Sequence, residues 1–418
     1  MLVVLADLTA GLVLFTFLSF VALIPSSGGP ALSFLKLAGL LLAVSWLAAV
    51  VTTNRSGIDF ASVYPGFTWV LILFLTWIGV TQVWAESPAA VHTSLSRYAL
   101  NIVLFLIVFT AVRERRHAIW VTAALVLGAA AAAVYGLLAG SADPDSIDRL
   151  SGTVGNPNQL AAALVIGLAL SLGLVANTPR SPLLRIATIA TGVLCLTGIL
   201  LTASRGGLVA LAAAGAAFVL LSGRWRLAAT SIAVVLAAVT VTYFTAAAPP
   251  EVQERIANPE STGRTDIWGV GRRMVEARPV LGVGAGNFEI SSIHYLLAPG
   301  ALQRDEYIVD DPKVAHNMYL EVLAELGVVG LALFAAVLVL SLGCGARALG
   351  VFSETGDHGM ELLTRAVLVA LVGLLTADIF ASGQYRKELW LLLGLCPALF
   401  AIARAQERQR ELQPKGVS

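Results

Sequence analysis

The chain has 418 residues, of which 57% are hydrophobic and 13% are charged, and its formal net charge is +1. A soluble domain has about 45–50% apolar residues, so this composition excludes an ordinary soluble protein and indicates a polytopic membrane protein. Three cysteines lie in or beside apolar stretches, with neither the pairing of a disulfide framework nor the spacing of a metal site. No nucleic-acid partner is expected.

Twelve apolar stretches of near twenty residues predict an all-α polytopic membrane protein with about twelve transmembrane helices. The first stretch has no preceding Lys or Arg and is longer than the apolar core of a signal peptide, so we expect it to be retained. The predicted spans are 2–24, 31–53, 66–84, 97–112, 118–139, 158–176, 183–203, 205–221, 226–246, 316–341, 362–382 and 387–403.

Arginines gather in alternate connections between these spans. They are Arg55, Arg113, Arg115, Arg116, Arg180, Arg185, Arg224, Arg226 and Arg347, with Arg404, Arg408 and Arg410 in the tail. The positive-inside rule therefore predicts that both termini are cytoplasmic and that the long polar segment is extracytoplasmic. The predicted organisation is nine spans (1–246), one large extracytoplasmic loop with an amphipathic helix (247–315), three spans (316–403) and a cytoplasmic tail (404–418).

A turn is required within the nearly unbroken apolar run from Leu183 to Leu221, because one helix of that length exceeds a bilayer of about 30 Å. The sequence Thr-Ala-Ser-Arg-Gly-Gly at 202–207 marks the turn. The paired glycines allow a tight reversal or a close approach of helices. Arg205 lies on this turn and is expected at the extracytoplasmic face.

The long loop contains a short helix that is expected to lie at the membrane surface. Thr265 and Asp266 suit its start, Pro279 helps to end it, and an apolar stripe alternates with cations including Arg264, Arg272 and Arg273. A glycine run follows at 282–286. No strand precedes that run, so it does not predict a nucleotide site.

The end of the loop turns into an apolar helix at His316. Asn317, Glu321 and Glu325 recur every fourth residue and therefore share one side of that helix. Glu325 lies roughly 13 Å along the helix from His316, and a carboxylate at that depth must face a protein or water-filled interior. We expect both glutamates to pair with arginines of neighbouring helices, a structural role that is favoured over a catalytic one.

His316 has a structural and a chemical interpretation. A lone histidine at a helix start is often structural, but the positive end of the helix dipole disfavours imidazolium and favours a neutral ring that can accept a proton. Asn317 could orient a sugar hydroxyl or cap the helix. Asp310 and Asp311 could hold a cation, although a solvated loop is the favoured interpretation.

Arg205 and Arg264 are the candidate anion-binding residues. A single interfacial arginine is often a lipid anchor, whereas two arginines beside one cavity suit a diphosphate, because guanidinium groups match phosphate geometry. Arg272 and Arg273 are weaker candidates, because charges on such a helix usually face solvent. Asn156 and Asn158 either cap the sixth span or line the cavity.

Four segments in this order resemble the O-antigen ligase and O-antigen polymerase superfamily of bacterial membrane glycosyltransferases. They are GTVGNPNQLA (151–160), LTASRGGLVAL (201–211), STGRTDIW with RPVLGVGAGNF (261–268 and 278–288), and HNMYLEVLAELGVVG (316–330). The resemblance implies a GT-C-like, all-helical enzyme in the cytoplasmic membrane that uses lipid-linked donors without a metal, nucleotide or other cofactor. It also implies that Arg205 and Arg264 bind phosphate and that His316 is essential.

The implied donor is a glycan on undecaprenyl diphosphate, and the implied reaction is an inverting transfer with His316 as general base. Lipid A core is the favoured acceptor, which corresponds to an O-antigen ligase. The alternative is an O-antigen or exopolysaccharide polymerase with a lipid-linked glycan as acceptor. A transporter of the lipid is disfavoured because the polar motifs collect at one face, and a scaffold would not explain a histidine near two arginines.

Overall fold

The computed structural model describes residues 7–21, 34–52, 60–139, 149–178, 181–257, 264–296 and 314–412, and these are helical with connecting turns and loops. The helices, numbered in chain order, are α1 (Leu8–Val21), α2 (Phe34–Thr52), α3 (Phe60–Val63), α4 (Pro65–Val80), α5 (Pro88–Ala111), α6 (Arg115–Ala139), α7 (Pro157–Val175), α8 (Pro182–Leu201), α9 (Arg205–Leu221), α10 (Arg226–Thr242), α11 (Pro250–Ala257), α12 (Arg264–Ala277), α13 (Phe288–Leu296), α14 (Met318–Thr355), α15 (His358–Ala377) and α16 (Lys387–Leu412).

The all-α membrane fold that the sequence predicts is confirmed. Nine helical segments within the described ranges are long and apolar enough to cross a membrane, and three shorter apolar helices at Leu8–Val21, Leu35–Val51 and Arg205–Leu221 account for the other predicted spans. The short helices α11, α12 and α13 belong to the polar segment before His316. The turn predicted at 202–207 is found at 202–204, between α8 and α9, and residues 205–207 form the start of α9.

The centre of the bundle is formed by α7, α15 and α16, whose most apolar windows are 78%, 78% and 72% buried. α7 packs against α6, α8 and α15, while α16 packs against α5 and α14. In contrast, the segment that contains α10 is only 6% buried and packs mainly on α9. α10 therefore presents most of its apolar surface outward, as a lipid-facing helix does.

α14 is interrupted at Gly327, which has φ 66° and ψ −172°. The glycine run docks at this break: Val283 donates its N–H to the carbonyl of Ala324 over 2.9 Å, and Val328 donates to Pro279 over 2.9 Å. A side chain at position 327 would overlap the carbonyl of Val280. The glycine run thus packs backbone against backbone on a broken helix.

α5 begins at Pro88, nine residues before the predicted span at 97–112. Ser87 caps the helix by accepting from the N–H of Ala90 over 3.3 Å, and proline suits the first helical turn. The added turns carry polar residues such as Ser94 and Arg97, which line a cavity. Apolar content alone misses these turns because they carry several polar side chains, some of which line the cavity.

Candidate functional site

A polar cavity of about 510 Å³ lies at the start of α14. Its walls come from α5, α7, α13, α14 and the segment between α15 and α16. Five of the predicted site residues line this cavity, whereas Asn317 does not. Those residues are Asn156, Asn158, His316, Glu321 and Glu325.

His316 is held in an unusual backbone conformation between two anchored neighbours. Its φ is +49°, a left-handed value that costs a non-glycine residue roughly 1–3 kcal/mol. On one side, the buried carbonyl of Ala315 accepts the indole N–H of Trp268 over 3.0 Å. On the other side, Met318 donates its N–H to the carbonyl of Asp378 over 2.9 Å. The surrounding structure therefore fixes where the His316 ring enters the cavity.

Asn317 is the N-cap of α14 and accepts from the N–H of Leu320 over 3.0 Å. Of its two predicted roles, the structure gives the capping role a direct contact. His316 consequently lies just before the cap, outside the first helical turn.

Glu321 is buried and binds the segment between α15 and α16. It accepts a hydrogen bond from the side-chain amide of Gln384 over 2.6 Å and another from the hydroxyl of Ser382. Glu325 is also buried and accepts from the backbone N–H of Phe288 over 3.2 Å. The two carboxylates thus join α14 to its neighbours on either side of the cavity.

Contrary to expectation, Glu321 and Glu325 form no ion pair with an arginine in the described part of the chain. Hydroxyl, amide and backbone N–H donors take the place of arginine. Such donors satisfy a carboxylate without bringing a second ion into the bundle, which limits the cost of burial.

Four arginines gather beside this cavity, although they come from distant parts of the chain. Arg205 begins α9, Arg264 begins α12, Arg255 lies in the last turn of α11 and Arg149 precedes α7. Arg149 is electrostatically coupled to the other three, and Arg255 and Arg264 are both coupled to Arg205. The structure brings the two predicted arginines, Arg205 and Arg264, together. It adds Arg149 and Arg255, which lie outside the four sequence motifs.

Burial and mutual repulsion lower the pKa of three of these arginines. The pKa of Arg149 falls to about 10, mainly because of burial and then because of Arg255, Arg264 and Arg205. The pKa values of Arg255 and Arg264 are lowered by burial first and by neighbouring arginines second. Within the described residues no carboxylate forms an ion pair with Arg149, Arg255 or Arg264. A cluster of this kind is relieved by binding a multiply charged anion.

Asn158 connects the arginine cluster to the cavity. Its side-chain oxygen accepts from the hydroxyl of Ser204 over 2.7 Å and from Arg149 over 3.5 Å. Ser204 in turn caps α9, directly before Arg205, by accepting from the N–H of Gly207. Asn156 caps α7, accepting from the N–H of Asn158 over 2.9 Å. The two asparagines therefore both support helix ends and line the cavity.

Phe380 lies where the arginine cluster and the His316 cavity meet. It lines the cavity, its ring is 6.4 Å from that of Trp268, and a Cβ at Gly206 would lie 3.0 Å from its own Cβ. A side chain at position 206 would therefore require Phe380 to shift. Arg205 is the preceding residue, so this contact draws the start of α9 toward the cavity.

The remaining predicted residues lie away from the cavity or beyond the described chain. Arg272 is exposed and pairs with Glu276 over 3.3 Å, while Arg273 donates to the carbonyl of Tyr295 over 3.3 Å. Asp310 and Asp311 lie outside the described residues. Among those described, no group of three or more His, Cys, Asp and Glu side chains is placed to hold a metal ion.

The helix bundle, together with a polar cavity and an adjoining cationic cluster, defines an all-α polytopic membrane protein with a site suited to a polar, anionic substrate. Residues 190–335 match the model of the O-antigen ligase family. That match spans α9, α12 and the start of α14, and it confirms the resemblance to the O-antigen ligase superfamily. No curated protein matches the chain.

Proposed function

We propose that this protein is a membrane glycosyltransferase that moves a glycan from undecaprenyl diphosphate to an acceptor hydroxyl, with lipid A core as acceptor. This proposal is supported by a polar cavity that contains His316 and lies beside a cluster of four arginines. A diphosphate carries several acceptor oxygens and matches guanidinium donors, while amide, hydroxyl and carboxylate groups suit a sugar.

In the proposed reaction, the acceptor oxygen attacks the anomeric carbon of the first sugar while His316 takes the hydroxyl proton. The bond between that carbon and the phosphate oxygen breaks, and the electron pair leaves with undecaprenyl diphosphate. Arg149, Arg205, Arg255 and Arg264 stabilise the negative charge of this leaving group. A single displacement inverts the anomeric centre and requires no metal.

The proposed setting is the bacterial cytoplasmic membrane, with both termini cytoplasmic and the cavity extracytoplasmic. The charge distribution of the connections supports this orientation. Nucleotide sugars are not available on that face, which is why the donor is proposed to be lipid-linked.

The test uses purified protein with one lipid-linked glycan, in the presence and absence of a lipid A core acceptor, and identifies the products by mass spectrometry. A ligase attaches the glycan to the core and yields free undecaprenyl diphosphate. Longer lipid-linked glycans in the absence of core would instead identify a polymerase. No transfer to either acceptor, from an active donor preparation and a folded protein, contradicts the proposal.

A further inference from the structure

A second cavity lies within the apolar part of the bundle, toward the end opposite His316. Its volume is about 340 Å³ and its walls come from α7, α8, α9, α10 and α15. The lining is apolar except for Arg365 at one end. The cavity is therefore an apolar groove with a cationic side chain at one end.

The groove opens to the outside of the helix bundle. The groove is flanked by α8 and α10. α8 packs on α6 and α7, while α10 packs on α9, so these two helices rest on different parts of the bundle. Ile232 on α10 lines the groove and is 38% exposed. Gly215 on α9 has open space where a side chain would begin, with no heavy atom within 4 Å of a Cβ built there.

The cationic end of the groove holds more positive than negative charge. Glu361 is buried and accepts from Arg365 and, over 2.9 Å, from Arg224. One carboxylate therefore faces two guanidinium groups. Arg224 is half-exposed and also contacts the ring of His358 at 2.7 Å, while exposed Arg226 begins α10 nearby.

Arg365 has a buried donor without a partner among the described residues. The residue is 6% exposed, and its guanidinium also donates to the carbonyl of Leu221, yet no acceptor in the described part of the chain bonds to its Nε. A buried N–H of a charged group is costly to leave unpaired. An acceptor at the end of the groove would satisfy it.

We propose that this groove binds an anionic phospholipid, with one acyl chain between α8 and α10 and the phosphate beside Arg224 and Arg365. Basic pockets between transmembrane helices favour anionic head groups, and each nearby cation contributes to that preference. The open groove supplies a place for methylene groups, whose burial adds affinity.

The experiment titrates delipidated protein in detergent with phosphatidylglycerol or phosphatidylcholine of identical acyl chains and measures bound lipid by native mass spectrometry. We expect phosphatidylglycerol to bind at least about tenfold more tightly, since two arginines face its phosphate. Arg224→Gln should remove roughly fivefold of that preference and leave phosphatidylcholine binding unchanged. Equal binding of the two lipids to the wild type overturns the proposal.

The location is tested by filling the groove. Gly215→Phe should weaken phosphatidylglycerol binding by about tenfold or more, which corresponds to roughly two fewer buried methylene groups. Gly343→Phe is the matched control, because Gly343 also has open space around its Cβ and lies on α14, which does not line the groove. Leu236→Trp fills the groove from α10 and replaces Gly215→Phe if that variant does not fold.

Two results of this second experiment contradict the proposal. Unchanged binding in a folded, groove-filled variant places the lipid elsewhere. The second result comes from adding a polyprenyl phosphate as competitor. If it displaces phosphatidylglycerol one molecule for one, and if Gly215→Phe abolishes polyprenyl phosphate binding, the groove binds a polyprenyl chain instead.

Discussion

Trp268 donates its indole N–H to the backbone carbonyl of Ala315 over 3.0 Å. This bond joins α12, which begins with Arg264, to the residue before His316. The bond thus links the proposed phosphate-binding residue Arg264 to the proposed proton acceptor His316. Trp268 and Ala315 themselves have no direct part in the proposed reaction.

Trp268→Phe should therefore lower turnover while leaving donor binding nearly unchanged. A lost hydrogen bond typically costs about 0.5–1.5 kcal/mol, so a reduction of roughly three- to tenfold is expected. Turnover and donor binding are measured separately in purified protein. The control is Trp69→Phe on α4, where the ring is 61% exposed, and equal turnover in the two variants argues against a positioning role for Trp268.

The arginine cluster should respond to loss of the guanidinium and not only to loss of charge. Arg205→Lys and Arg264→Lys keep the positive charge but lose the fork that matches phosphate, so each should weaken donor binding and transfer strongly. Arg149→Gln and Arg255→Gln are expected to weaken donor binding as well. Binding of the lipid-linked donor and product formation are both measured.

Arg272→Ala is the control for the cluster, because that side chain is exposed and pairs with Glu276. It should retain wild-type activity. Full activity in the combined Arg205→Lys and Arg264→Lys variant would instead identify these two residues as ordinary interfacial anchors.

Gly327→Ala should destabilise the protein strongly. The new methyl group would overlap the carbonyl of Val280 and would sit on a residue with φ 66°, a conformation that alone costs roughly 1–3 kcal/mol. The apparent melting temperature in detergent reports the loss. Gly343→Ala, in open space within the same helix, should match or exceed the wild type, since alanine is favoured over glycine in helices by about 0.5–1 kcal/mol.

The proposed orientation is tested by cysteine labelling. The native cysteines at 195, 344 and 396 are buried, so they should react little with the labelling reagent. A cysteine at exposed Glu276 should react with an impermeant reagent in intact spheroplasts, whereas one at exposed Glu114 should react only after lysis. The reverse pattern would place the cavity in the cytoplasm and remove the argument for a lipid-linked donor.

The sequence predicts the apolar helices well because membrane burial leaves long hydrophobic runs. It predicts the early start of α5 poorly, because the first turns carry polar residues such as Ser94 and Arg97. Their side chains line the polar cavity, but in the sequence they are typical of a loop. The break in α14 at Gly327 is also invisible to hydropathy. Its cause is the docking of another backbone, which only the three-dimensional structure reveals.

The site residues divide in the same way. Arg205, Arg264 and His316 stand in motifs, whereas Arg149 and Arg255 stand in none and reach the cluster through the packing of distant segments. The partners of Glu321 and Glu325 are hard to predict, because burial of an acid suggests a cation, whereas Gln384 and a backbone N–H group are among the donors in the structure. A serine or amide donor leaves no distinctive pattern in sequence.

The proposed role of His316 as acceptor of the hydroxyl proton is tested by comparing three variants in turnover and donor binding. His316→Ala and His316→Asn should both lose about a hundred- to ten-thousandfold in turnover while still binding the donor, and asparagine tolerates the left-handed backbone at this position. His294→Ala is the control, since that exposed ring contacts Glu86 at 3.0 Å outside the cavity. Wild-type turnover should also fall as the pH drops through the range in which histidine becomes protonated. Near-normal turnover in His316→Asn, or parallel loss of donor binding and turnover in both His316 variants, would contradict the assignment.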